Sequence, residues 1–431
     1  MSRTTPLTPV EEAVYHLEEF TDSWNVQIEV ETDDVDVDRL HEAAVTAGEH
    51  HPMARARLDE HGGLDSRLYW RIPDDVDGLE FDSVEAYDTS DVDELRREFY
   101  SRGFDVVDDL PYRVRHVDGP DGDRVLFSLC HVPCDGVGAL RLVRTVSDVY
   151  RGREPEPDPV DFDAYRSAVE SLRPDDFGGK LRQLVNAAGH LPNAVDRPSR
   201  VAGESDDGDE RWGFVHREVD DTASLVDGRP EGVSVNDLLL AAFHLAIERW
   251  NTEHDAGAGK ISLMMPVNLR PTEWFYDVVG NYVLFDRVAT RPRHRDDVRS
   301  VVKEVARQTH EIKHAETPIG LLESMKLIPR GTPVGLRGRL TEFLRGPGEG
   351  LMDTAVLSNL GRAPEPVEFG SDGALYFSPP CRAATSVAIG AVTVDGTLYL
   401  VLRHTLEHLD RAAAERLMDV YMDELDRVER V

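Results

Sequence analysis

Hydrophobic and polar positions along this chain alternate between two rhythms, one that suits strands and one that suits helices. Residues 9–20 have helical spacing with an acidic first turn, and residues 25–31 alternate as a strand. Residues 38–50 carry a helical stripe, 67–72 reads as a strand and 91–100 as a helix. Residues 112–116 and 123–129 form a hairpin-like pair around Asp118-Gly-Pro-Asp-Gly122. The apolar run Val125-Leu-Phe-Ser-Leu129 breaks at His131 and resumes as an amphipathic pattern with Leu140, Val143 and Val146 on one face. That stretch predicts a buried strand, a short turn and a helix ending near Tyr150.

The second half repeats the mixture. A strand is expected at 213–219, then the strongest helix of the chain at 234–250, with Ser234 or Asn236 as its cap and Asp237 suited to its positive end. That helix is apolar nearly all round, so it should be buried. Strands are expected at 261–267, from 280 onward, and at 354–362, 374–378, 386–394 and 397–404. Helices are expected at 296–315, 336–344 and 410–428. Between the halves, 151–160 is rich in proline and acid and reads as a connector, 181–191 is weakly helical, and 197–210 reads as a mobile polar crossover. The expectation is an α/β (α+β sandwich type) fold. It has an N-terminal lobe at 1–160, a crossover at 161–210 and a C-terminal lobe at 211–431, the two lobes being of similar build, each a mixed sheet with flanking helices.

Composition narrows the function. The 431 residues carry a formal charge of -34, with 82 acidic against 48 basic residues, the latter almost all arginine. The acids are scattered rather than gathered into a tail, which fits a surface adapted to high salt and disfavours nucleic acid as a partner. No run of eighteen apolar residues suggests a membrane span, and the N-terminus lacks an apolar signal core, so a cytoplasmic location is expected. Three cysteines, Cys130, Cys134 and Cys381, give no disulfide framework. Cys130-His131-x-x-Cys134 lacks the second ligand pair that a structural zinc site needs, so no metal is expected there.

The chemistry centres on His131, Asp135 and Gly136, an H-x-x-x-D-G unit placed where a strand gives way to a helix. This unit resembles the active-site motif of the chloramphenicol acetyltransferase-like superfamily, which includes nonribosomal peptide condensation domains, wax ester synthases and alcohol acyltransferases. Four further stretches agree in type and order. His50 to Leu58 is similar to the family's "HP-x-LRARL"-like segment. Asn236-Asp-Leu-Leu-Leu-Ala-Ala-Phe243 looks like its "NDVLLAA" helix. Gly280-Asn281 matches a "GN" segment, and Ser358-Asn359-Leu360-Gly361 matches its "SNLG" strand end. The agreement spans roughly residues 10–425 and is closest in pattern to stand-alone members.

The resemblance implies a tunnel between two lobes in which His131 removes a proton from an acceptor hydroxyl or amine, which then attacks a thioester. No acyl-enzyme and no bound cofactor are required; acyl-coenzyme A or acyl-phosphopantetheine is a substrate. An imidazole suits that task because it titrates near neutrality. Asp135 is implied to pair with an arginine and hold the loop that aims the histidine, with Arg55 the first candidate and Arg403 the second. Ser358, Asn359 and Asn281 are candidate oxyanion donors or tunnel-lining groups. The sequence departs from the family pattern at Cys130, which stands where the first histidine of a His-His pair is usual. Cys130 and Cys134 read as packing, with a nucleophilic role the alternative.

Other histidines have plainer readings: His116 as a hairpin end, His244 as core, and His50 and His51 as shaping a turn before Pro52. The competing function is a non-catalytic member of the same fold that docks an acyl carrier. A serine hydrolase finds no support, since no G-x-S-x-G elbow is present. A free-standing enzyme is preferred, since the sequence offers no carrier or adenylation domain beside the predicted lobes.

Overall fold

The computed structural model describes residues 2–18, 24–171, 197–206, 208–220, 222–314, 332–336, 353–370, 373–381 and 385–430. The elements expected at 181–191 and over most of 336–344 lie outside these.

The strands are β1 (Arg3–Pro6), β2 (Asn25–Thr32), β3 (Arg57–Leu58), β4 (Tyr69–Ile72), β5 (Glu80–Glu85), β6 (Tyr112–Gly119), β7 (Gly122–Cys130), β8 (Trp212–Val219), β9 (Ile261–Asn268), β10 (Val283–Thr290), β11 (Ala355–Arg362), β12 (Ala374–Ser378), β13 (Val387–Val394) and β14 (Thr397–Thr405). The helices are α1 (Pro9–Glu18), α2 (Val37–His50), α3 (Thr89–Ser101), α4 (Gly136–Tyr150), α5 (Phe162–Ser171), α6 (Ala223–Asp227), α7 (Val235–Glu253), α8 (Val298–His314) and α9 (Arg411–Glu429).

Two mixed sheets dominate. The first has the order β12-β2-β7-β6-β5, the second β10-β9-β11-β13-β14-β8, and a small antiparallel sheet β1-β4-β3 flanks the first. In the first sheet only β5–β6 is parallel. In the second, β11 runs parallel to both β9 and β13. The fold is the expected mixed α/β arrangement of sheets with flanking helices.

The period of two explains how the first sheet buries both faces. In β7, Val125, Phe127 and Leu129 join the core beneath α2 and α4, while Leu126 joins Phe99 and Tyr100 of α3 on the other side. In β2, Val26, Ile28 and Val30 face the same core. The alternate residue Glu29 meets the Arg96 guanidinium of α3 at 2.7 and 2.8 Å, and Gln27 donates to the Tyr100 carbonyl.

The second sheet is covered by α7 and α9. Ser234 caps α7 and Asp237 reaches back to the Ser234 N–H, a reciprocal cap that closes two orphan donors. The other oxygen of Asp237 accepts the Thr309 hydroxyl of α8 at 2.6 Å, so one carboxylate starts one helix and pins another.

The division at 160 and 210 does not keep the two sheets apart. Strand β12 lies far along the C-terminal segment, yet it pairs antiparallel with β2, Phe377 opposite Ile28, and becomes the edge of the first sheet. Leu360, Val367, Phe369, Leu375 and Phe377 accordingly sit in the core of the first lobe. The segment expected to be a mobile crossover is tied down over residues 199–206. Ser199 N–H donates to the Lys260 carbonyl, Ala202 N–H to Asn251 Oδ1, and Glu204 forms a bridge with Leu409. Its polar residues make hydrogen bonds where a polarity reading expected only solvent.

Candidate active site

The apolar run of β7 stops at Cys130 because the sheet ends there, and the chain turns through His131–Cys134 into α4. Asp135 is the N-cap of α4: its Oδ1 accepts the Gly138 N–H at 2.9 Å. The turn is therefore fixed from both ends, by the β2–β7 ladder and by the cap. His131 N–H also donates to the Trp24 carbonyl at 3.2 Å.

The His131 ring is buried, 3% exposed, beside Trp24 and Phe285, with ring centroids 5.7 and 6.5 Å away. Its Nδ1 lies 3.0 Å from the Cys134 carbonyl. A carbonyl only accepts, so Nδ1 carries the proton of the neutral ring and Nε2 carries the lone pair. Burial lowers the pKa of the ring below 6.5, against the opposing pull of the Cys134 hydrogen bond and the Asp135 charge. The tautomer and the charge state both suit a proton acceptor at Nε2.

Asp135 does not touch Arg55. Its Oδ2 accepts Arg270 Nη1 at 2.5 Å and the Tyr282 N–H at 2.8 Å, with both ionic side chains sealed from solvent. Arg270 follows β9, lies over the Tyr282 ring at 4.5 Å and donates Nη2 to the Gly280 carbonyl at 2.8 Å. The connection from β9 to β10 thus docks on the N-terminus of α4 and brings its arginine with it. Arg55 instead spends its guanidinium on backbone carbonyls, Pro73 and Gly48 at 2.9 Å and Glu49, closing the end of α2. Arg403, the second candidate, stacks on Trp212 at 4.2 Å and donates to the carbonyls of Asn25 and Pro379. It thereby ties the start of β2 to the segment after β12.

Asn281 does not line the cavity. Its Nδ2 donates to the His131 carbonyl at 2.6 Å and to the Val132 carbonyl at 3.2 Å, so it holds the histidine turn from the far side. Gly136 lines the cavity because nothing larger fits: an added Cβ would lie 2.8 Å from Leu360 Cδ2 and 2.9 Å from Phe377 Cε2. Cys134 Sγ donates to the Asp135 carbonyl at 3.4 Å, and burial pushes the thiol pKa well up, so it stays protonated and packs rather than attacks. Cys130 is likewise buried.

His131 opens on a narrow cleft lined from both sheets. Trp24 just before β2 and Val26 of β2 come from the first lobe, Met264, Phe285 and Val356 from the second sheet, and Phe377 from the shared strand β12. The wall is apolar apart from a few groups, as ligand cavities usually are. Ser358 and Asn359 of β11 lie on it. Asn359 Oδ1 accepts the Gly361 N–H at 2.8 Å, which leaves its Nδ2 as the available donor. Ser358 Oγ makes no hydrogen bond among the described residues. Asn268, also on the wall, holds Arg270 N–H with Oδ1, while its Nδ2 is unpaired among the described residues.

Sequence reasoning missed Arg270, Trp24, Phe285 and Asn268. For Arg270 the sequence offers only an arginine just beyond an apolar strand, on the same connection as Gly280-Asn281, which does not say what it pairs with.

No helix among the described residues is long and apolar enough to cross a membrane. The chain is 32% identical over 440 residues to an uncharacterized protein of Mycobacterium tuberculosis, found in two strains, covering 99% of this chain and 100% of that one. Among solved structures it is similar to the epimerization domain from the third module of tyrocidine synthetase B (TM-score 0.66, 16% identity, covering 100% of this chain and 98% of that one). It is also similar to the condensation domain of the Monacolin K polyketide synthase MokA (0.66, 14%, 99% and 97%). A third is the starter condensation domain of rhizomide synthetase, in complex with C8-CoA and Leu-SNAC (0.67, 13%, 99% and 95%). The fold and the His131–Asp135 turn agree with the match of residues 1–332 to one family: this chain belongs to the Condensation domain family, whose common chemistry is acyl transfer.

Proposed function

We propose that this protein moves an acyl group from a thioester, either coenzyme A or carrier-bound, to a hydroxyl or amine acceptor. The observation that carries the reading is the hydrogen bond from His131 Nδ1 to the Cys134 carbonyl, which leaves Nε2 unprotonated on a largely apolar cleft. Nε2 takes the acceptor's proton as its oxygen or nitrogen attacks the thioester carbonyl. The tetrahedral adduct collapses, the carbon–sulfur bond breaks, and the proton on Nε2 passes to the departing thiolate. Every atom and charge is accounted for with no covalent enzyme intermediate.

Developing charge on the carbonyl oxygen calls for donors, and Ser358 Oγ and Asn359 Nδ2 on the facing wall are suited to supply them. Asp135, Arg270 and Asn281 are positioning residues, since each acts on the turn rather than on the cleft. The apolar lining fits an acyl chain, and the C8-CoA held by the rhizomide synthetase domain supports a fatty thioester as donor. We place the enzyme in the cytoplasm with an acyl carrier as a partner when the donor is not coenzyme A, and we read its acidic surface as adapted to high salt.

The test is a screen of acyl thioesters in molar salt with candidate alcohols and amines, following free thiol. His131→Ala should fold and lose turnover by about 10²- to 10⁴-fold. Undiminished turnover in that variant overturns the assignment. Carrier binding without turnover in the parent protein would favour the docking-protein reading instead.

A further inference from the structure

His50 closes α2, His51 follows it, and Asp158 lies in the connector after α4. A ring nitrogen of each histidine and a carboxylate oxygen of Asp158 all lie within 4.8 Å of one another. His51 Nδ1 stands 3.7 Å from Asp158 Oδ1, and neither atom has a hydrogen-bond partner among the described residues. The His51 side chain is fully buried and that of Asp158 is 18% exposed.

The outer nitrogens explain the inner ones. His51 Nε2 lies 2.8 Å from Thr145 Oγ1, whose own proton goes to the Arg141 carbonyl at 3.1 Å. The hydroxyl therefore accepts from His51 Nε2–H, and the lone pair of the neutral ring falls on Nδ1. His50 Nε2 lies 2.9 Å from the Glu156 carbonyl, which only accepts, so the lone pair of His50 also falls on Nδ1. Imidazoles that ligate metals are held in this way, with the distal N–H given to an oxygen so that the other nitrogen is presented bare.

A bare nitrogen then faces a bare carboxylate oxygen at a distance too long for a shared proton. A buried group left without a partner is costly, and a cation between the two relieves both.

We propose that His50, His51 and Asp158 form a binding site for a divalent transition-metal ion of the zinc class, with water completing the coordination. Bonds of about 2.0–2.1 Å in a tetrahedral site put ligand atoms roughly 3.4 Å apart, so His51 and Asp158 need move by only a few tenths of an ångström. Two imidazoles and one carboxylate favour zinc, cobalt or nickel over magnesium or calcium. Arg141 opposes the ion, but its guanidinium is engaged by the Glu156 carbonyl and by the Asp277 carbonyl. The ligands come from two stretches, the end of α2 and the connector after α4, so the ion would clip one to the other. The cysteine spacing that argued against a metal at Cys130–Cys134 does not bear on residues this far apart in sequence.

The test uses the full chain, stripped with chelator and titrated with Zn²⁺ in molar KCl to suppress loose binding to surface acids. One equivalent should bind per chain, and Co²⁺ should give visible d–d bands. His50→Ala and Asp158→Asn, checked for folding by circular dichroism, should each weaken binding at least tenfold. Zn²⁺ should raise the melting temperature of the parent and not of these variants. His216→Ala, which breaks a separate carboxylate–imidazole group with Glu29 and Glu31, should change nothing. No stoichiometric binding in the parent overturns the proposal, as does binding that survives the His50→Ala, Asp158→Asn double variant or that disappears with His216→Ala.

Discussion

Asp135 and Arg270, 135 residues apart in sequence, meet at 2.5 Å with both side chains sealed from solvent. The carboxylate also accepts Gly138 N–H and Tyr282 N–H, so all its hydrogen bonds are directed at fixing one turn. A buried pair of this kind is costly to break from one side, because the remaining charge has nowhere to go. Arg270→Met should therefore cost about 3–5 kcal/mol, read as a lower urea midpoint at unchanged slope. An unchanged midpoint would mean the turn is held by the backbone alone.

Asn281 grips the His131 and Val132 carbonyls without reaching the cleft. Asn281→Ala should let the imidazole drift while leaving the acyl site intact. The expected result is a fall of about tenfold or more in kcat with KM little changed, since misplacing a catalytic group costs rate before binding. A rise in KM alone would place Asn281 in substrate binding instead.

The pH dependence follows from burial of His131. The ring must be neutral to act as a base, and desolvation moves its pKa below 6.5. The plot of log kcat/KM should stay level as pH falls from neutrality to 6.5 and decline only below that. An acid limb centred above 6.5 would contradict a buried base.

Acid stability should report on Glu29. Burial alone would raise its pKa, but the Arg96 guanidinium, helped by His216 and Arg124, outweighs burial and holds the carboxyl at about 2, against 4.5 for an ordinary glutamate. A depressed folded pKa stabilises the protein above the unfolded value, and that stability is lost as pH falls from 4.5 towards 2. The loss should reach about 3 kcal/mol in denaturant titrations across that window. In Glu29→Gln the pH dependence over the same range should flatten by that amount.

What could be read in advance divides along physical lines. His131, Asp135 and Gly136 were legible because strand, turn and helix cap are local, and six residues carry all three signals. Ser234 and Asp237 were legible for the same reason. Strand β5 was not: Glu80–Glu85 is only partly buried, at the edge of its sheet, so its apolar alternation is faint. Strand β1 is four largely exposed residues at another edge. Arg270 was illegible as the partner of Asp135 because no local pattern tells which of many arginines the docked β9–β10 connection will deliver. Arg55 lay in a family-like segment, but the free carbonyls at the end of α2 had the prior claim on it.

The late strand β12 has a consequence for how the chain is made. Nearly every residue of β2 is buried in the finished protein, and its outer edge is covered by residues 374–378. During synthesis β2, β7 and β6 emerge from the ribosome long before that cover does, leaving an apolar strand with an unpaired edge. The first lobe thus waits on the far end of its own message, and a nascent chain stalled short of residue 378 would present a surface that chaperones recognise and aggregates recruit.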